Sequence, residues 1–165
     1  MWSAAYDTDL VLVTLGLIFT TFCYDELGLA CHWAGKNLCN IGGYATFEIG
    51  ATMIMGSRIK LDLISTAAVA LSGMLIFTTI QVQDFPDVEG DNFSGRVTFP
   101  IYAPEFSRIF TLFMMLLWSV ALSWYWDVGT ITSALFVVLG GYVGARYYLW
   151  RTPDVDKRSY VIFNV

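Results

Sequence analysis

The chain has 165 residues, of which 56% are hydrophobic and only 14% charged, and a net charge of -5; its mean hydropathy is +0.60. Soluble domains carry roughly 25% charged residues, so this composition excludes a disordered chain and a disulfide-stapled secreted domain. Nine Lys and Arg against fourteen Asp and Glu, with no basic run, exclude a nucleic-acid binder as well.

The apolar residues fall in blocks of membrane-spanning size, which predicts an all-α integral membrane helical bundle with about five transmembrane helices in a single domain over residues 1–165. Met1 to Asp9 carry no Lys or Arg ahead of the first apolar run, so the basic region of a signal peptide is missing there. Leu10 to Tyr24 is the first segment, with Asp9 as its expected N-cap and Asp25-Glu26 at its end. At 1.5 Å per residue it covers about 22 Å, so its flanks or local thinning are needed to cross a core of about 30 Å.

The second segment, about Leu38 to Met55, is less apolar and contains Gly42, Gly43, Gly50 and Glu48, as suits a helix buried among helices. Leu61 to Gln81 forms the third, opened by Asp62 after Arg58-Ile59-Lys60. The fourth starts at Pro104-Glu105, a proline and an acid suited to a first helical turn, and runs to Trp126. A tight turn at Asp127-Val128-Gly129 leads to the fifth, which reaches about Trp150. The tail is polar and then apolar from Tyr160, as in the first turn of a further helix.

Alternating crossings put Lys36, Arg96, Arg108, Arg146, Arg151, Lys157 and Arg158 at one face and only Arg58 and Lys60 at the other. By the positive-inside rule the first face is cytoplasmic, and Trp124-Tyr125-Trp126 lies in the aromatic belt of the opposite interface.

The most informative stretch runs from Gln83 to Ile101. Asp84, Asp87, Glu89 and Asp91 crowd together at the cytoplasmic end of the third segment. If the helix continues past Gln81, offsets of three and four put Asp84, Asp87 and Asp91 on one face, although Pro86 and Gly90 make that face approximate. Repelling carboxylates near a bilayer are best explained by a shared cation, and hard oxygen ligands select Mg²⁺ or Ca²⁺. Mg²⁺ usually takes one or two carboxylates and completes its shell with water and phosphate oxygens. A bound diphosphate supplies the remaining ligands, with Arg96 beside it for another phosphate oxygen. The alternative reading of these acids is an ordinary solvated loop.

Asp84-x-x-Asp87-x-x-Gly90-Asp91, followed by Gly95, Thr98 and Pro100, resembles the second aspartate-rich motif of the UbiA superfamily of intramembrane prenyltransferases, with Phe99 in place of a leucine. Lys36-Asn37 before Asn40, and Gly144-x-Arg146 followed by Arg151, Asp156 and Tyr160, are similar to the second half of that family, nearer its fungal members. The resemblance implies that the segments correspond to helices four to eight of a nine-helix bundle. It implies an Mg²⁺-dependent enzyme in which Asp84, Asp87 and Asp91 hold metal and act in catalysis, and Arg96, Lys36 and Asn37 bind diphosphate. Its partners are then an isoprenoid diphosphate, an aromatic or other acceptor, and membrane lipid, with Trp118, Tyr44 or Phe110 available to stabilise an allylic cation. Transfer of a polyprenyl group is the expected reaction; a membrane terpene cyclase of the same superfamily and a non-catalytic bundle that binds diphosphate lipids are the alternatives. The family's first aspartate-rich motif lies upstream of these helices, and no Asn-Asp-x-x-Asp pattern occurs in these residues.

Cys23, Cys31 and Cys39 with His32 suggest zinc, but their spacing fits no finger pattern and free thiols are expected. Glu48 either lines a cavity, as in a small channel, or is a hydrogen-bonded structural acid. Gly140 and Gly144 have helix-packing spacing, and Arg146 is placed to reach headgroups or diphosphate.

Overall fold

Helix α1 (Thr8–Asp25) opens the computed structural model, which describes residues 8–56 and 60–164. Its first turn starts at Thr8, so Asp9 lies inside that turn and complements the helix dipole instead of capping it. The reading of Met1 to Asp9 as lacking a basic leader therefore falls mostly outside the described residues, as does the placement of Arg58 and Ile59. A 3₁₀ turn at Leu29–Cys31 leads to α2 (Trp33–Met55). This helix starts earlier than the expected Leu38 because His32 caps it, its Nδ1 accepting from the Ala34 amide at 3.3 Å. Asp62 caps α3 (Leu63–Thr79) by accepting from the Ser65 amide at 2.8 Å.

Beyond Thr79 the backbone tightens into 3₁₀ turns at Ile80–Gln83 and Phe85–Asp87, then forms the short helices α4 (Val88–Phe93) and α5 (Phe99–Tyr102). The long helices α6 (Pro104–Tyr125) and α7 (Thr130–Leu149) follow. A final helix, α8 (Pro153–Phe163), starts well before Tyr160, because Pro153 and the acids Asp154 and Asp156 all suit a first turn. Every regular element among the described residues is a helix, with no extended strand, as the all-α reading requires.

Three helical stretches among the described residues are long and apolar enough to cross a membrane: Thr8–Asp25, Leu63–Phe93 (α3 with the turns and short helix after it) and Pro104–Tyr125. The other two expected segments, α2 and α7, have 23 and 20 residues, but glycines with Lys36 and Glu48 in α2, and with Arg146 in α7, lower their apolarity.

The chain divides into two compact units, Met1–Phe77 and Thr78–Val165. In the first, α1 packs on α2 through small residues: a Cβ at Gly16 or Gly42 would press on the methyl groups of Thr46 or Thr20. Ser72 donates to Glu48 Oε1 at 2.6 Å, so Glu48 is a hydrogen-bonded acid joining α2 and α3. Cys23, Cys31 and Cys39 are free thiols.

In the second unit, Ser107, Thr111, Met115, Ser119 and Ser123 form a buried stripe along α6. Opposite them Gly140 and Gly144 let α7 approach closely, since a Cβ at Gly144 would lie 3.0 Å from Leu112 Cα. Val82, Phe85, Met115, Val143 and Tyr147 make the apolar core, flanked by Tyr160, Ile162 and Phe163 of α8.

Candidate functional site

The acidic loop belongs to the second unit, and its anchoring begins with Gln81. This buried amide donates to the Thr78 carbonyl and to Thr111 Oγ1, each at 2.9 Å, fixing the end of α3 to α6. Phe85 then buries its ring against Tyr147, with centroids 5.2 Å apart. The Arg108 guanidinium lies 4.4 Å from the Phe85 centroid on the same ring.

Arg108 is the hub of this region. It pairs with both carboxylate oxygens of Asp156, at 3.1 and 2.8 Å, and also donates to the Tyr147 carbonyl. Its side chain is 12% exposed and that of Asp156 only 2%, so the charges are desolvated and depend on each other. Through this pair α8, α7 and the Phe85–Asp87 turn are held together. Arg146 donates from Nε to Ser159 Oγ at 3.0 Å and ties α7 to α8. At the exposed rim Arg151 donates to Glu105, which pushes its guanidinium above the ordinary arginine value, and such a pair adds little stability.

The two glycines of the loop have separate physical roles. Gly95 has φ +73, its amide bonds to the Asn92 carbonyl, and the Arg96 amide reaches the Asp91 carbonyl at 2.9 Å. This is a Schellman ending of α4, whose left-handed position favours glycine. At Gly90 a Cβ would collide with the Asp87 carboxylate, which folds over the bare backbone. Thr98 and Pro100, the other motif positions, set the start of α5 and are both buried; Thr98 Oγ1 and the Tyr147 hydroxyl have no hydrogen-bond partner among the described residues.

Asp84 and Asp91 are buried, each 4% exposed, whereas Asp87 is exposed. The chain does not continue as one helix past Gln81: α3 ends at Thr79, the turns tighten to 3₁₀ from Ile80, and Pro86 opens the next of them. No group of three or more His, Cys, Asp or Glu side chains among the described residues stands close enough to hold a metal ion. Arg96 pairs with Asp91 at 3.3 Å. The three carboxylates are therefore not gathered as a cage for one metal ion; Mg²⁺ usually takes only one or two carboxylates from protein.

A pocket of about 310 Å³ adjoins the loop, lined among others by Phe85, Val88, Asn92, Pro100 and Arg108. Lys36 and Asn37 are buried on α2 of the first unit, each 4% exposed, which differs from an anchor at an interface. Trp118 donates from its indole to Thr78 Oγ1 at 2.7 Å, Phe110 stacks edge-on against Phe99, and Tyr44 is exposed on α2.

Because the Asp87 side chain is a movable neighbour, Gly90→Ala is expected to leave the melting temperature within about 2 °C while displacing the Asp87 carboxylate. Titration of Mg²⁺ against the chain will then show weaker binding than the parent, and unchanged affinity would separate Asp87 from the metal.

The chain is 29% identical over 161 residues to the fumagillin beta-trans-bergamotene synthase of Aspergillus fumigatus, covering 98% of this chain and 48% of that protein. It thus spans about half the length of that curated relative. No solved structure matches it. The model of the UbiA prenyltransferase family matches residues 2–165, the resemblance of the aspartate loop thereby extends over the whole sequence, and the chain belongs to that family.

Proposed function

We propose that this chain is part of an integral membrane enzyme that ionises an isoprenoid diphosphate in an Mg²⁺-dependent reaction and transfers the polyprenyl group to an acceptor. The observation that carries this reading is the aspartate loop from Asp84 to Pro100, set by Gly90 and Gly95 at the end of a membrane-length stretch. We place the loop on the cytoplasmic side, from the excess of Lys and Arg at that face, and take residues 1–165 as a piece of one transmembrane domain.

One or two of Asp84, Asp87 and Asp91 would hold Mg²⁺ at a time, and the ion when bound supplies positive charge to the departing diphosphate. Arg96 shifts from Asp91 to a phosphate oxygen, and Lys36 and Asn37 of the first unit are proposed as further diphosphate-binding residues. The allylic C–O bond breaks with its electron pair leaving on diphosphate. The acceptor's π electrons form the new C–C bond, and the acceptor then loses a proton. Apolar walls keep water from the cation.

A second reading, cyclisation by the substrate's own double bonds, is favoured by the relative, which is a beta-trans-bergamotene synthase by name. Membranes containing the full-length protein, incubated with farnesyl or geranylgeranyl diphosphate and Mg²⁺, separate the two readings. Product that requires an aromatic acceptor supports transfer; hydrocarbon formed without one supports cyclisation. Intact diphosphate under all conditions would overturn both.

A further inference from the structure

The turn between α6 and α7 forms a second pocket, of about 380 Å³, lined by Ser123, Trp124, Asp127, Thr130 and Ser133 among others. It is built within one helical hairpin and takes no part in the diphosphate reading. The α6 helix ends in a Schellman turn: the Val128 amide bonds to the Ser123 carbonyl and the Asp127 amide to the Trp124 carbonyl, each at 3.3 Å. Asp127 takes the left-handed position, with φ 47.

Three polar features border the same space. Ser123 is only 6% exposed, and its Oγ has no hydrogen-bond partner among the described residues. The 20-residue helix α7 begins here after Gly129 with no side-chain cap, so its first amides and positive dipole end remain for an anion. Asp127 brings a carboxylate that forms no ion pair among the described residues.

An anion alone would be repelled by Asp127, and a cation alone would leave the α7 amides and the Ser123 hydroxyl unused. A ligand carrying both charges a few ångströms apart satisfies all three. We propose that this pocket binds the zwitterionic headgroup of a phospholipid. The phosphate accepts from the α7 N-terminal amides and the Ser123, Thr130 and Ser133 hydroxyls, and the ammonium lies against Asp127 beside the Trp124 ring. The Trp124-Tyr125-Trp126 cluster places this turn at headgroup depth.

Native mass spectrometry of the chain in detergent, with added phosphatidylethanolamine, phosphatidylcholine or phosphatidylglycerol, tests this. Either zwitterionic lipid is expected to be retained about tenfold more tightly than phosphatidylglycerol, and the ethanolamine and choline arms show which ammonium is preferred. Asp127→Asn, which tolerates the left-handed backbone, should bring the zwitterionic lipids down to the phosphatidylglycerol level. Ser123→Ala should weaken all three. Equal retention of phosphatidylglycerol by the parent chain, or unchanged retention by both variants with unchanged melting temperatures, would overturn the proposal.

Discussion

Asp156→Ala will destabilise the second unit by about 3–5 kcal/mol, because it leaves the Arg108 guanidinium charged and desolvated with no carboxylate to meet it. The pair lies at 2.8 Å between side chains only 12% and 2% exposed. Arg108→Ala should cost a similar amount and also remove the cation from the Phe85 ring. The double variant Arg108→Met with Asp156→Leu should recover most of the loss, since replacing both partners by apolar groups is often near neutral. Melting temperatures in detergent for Arg108→Met, Asp156→Leu and the two together complete a double-mutant cycle. If Asp156→Ala melts with the parent, the ion pair does not hold α8 and the Phe85–Asp87 turn in place.

Gly144→Val will separate α6 from α7 at a cost of about 3 kcal/mol, the upper range for overpacking. A Cβ there would lie 3.0 Å from Leu112 Cα and 3.3 Å from Met115 Cβ, so backbone must move and a rotamer change cannot relieve it. Disorder should spread to the core, because Met115, Val143 and Tyr147 belong to one cluster. A large fall in melting temperature is expected for Gly144→Val. By contrast, Gly43→Ala, in the first unit and with open space at its Cβ, is expected to melt with the parent and serves as the control.

These two sites show what a sequence reveals of a membrane bundle and what it withholds. The apolar runs announce α1, α3 and α6 because lipid demands long stretches without charge. The four-residue spacing of Gly140 and Gly144 announces a close helix contact, which has formed. The stripe from Ser107 to Ser123 repeats with the same spacing, but its small polar residues carry no apolar signal. Arg108 and Asp156 stand far apart in the chain and in different helices, so no local period links them, and in the sequence Arg108 is only one more basic residue near a helix end. Gly95 is legible as a motif position, and its left-handed φ supplies the reason. The shared face of Asp84, Asp87 and Asp91 depends on a continuous helix. That helix gives way to 3₁₀ turns after Thr79, and in those turns two of the acids are buried and Asp87 is exposed. The start of α8 at Pro153 is also readable from the proline followed by two acids, a first-turn signal masked by the polar character of the tail.

Binding of farnesyl diphosphate to the detergent-solubilised chain, measured with and without Mg²⁺ for the parent and for Asp87→Ala, asks whether the aspartate loop grips a diphosphate through a metal ion. The parent is expected to bind at least about tenfold more tightly with Mg²⁺, as for loss of one or more charge-assisted contacts, and Asp87→Ala to lose that gain while keeping its melting temperature. Binding that ignores Mg²⁺, or a gain that survives Asp87→Ala, would contradict the account and leave the acids as a solvated loop on a helical bundle.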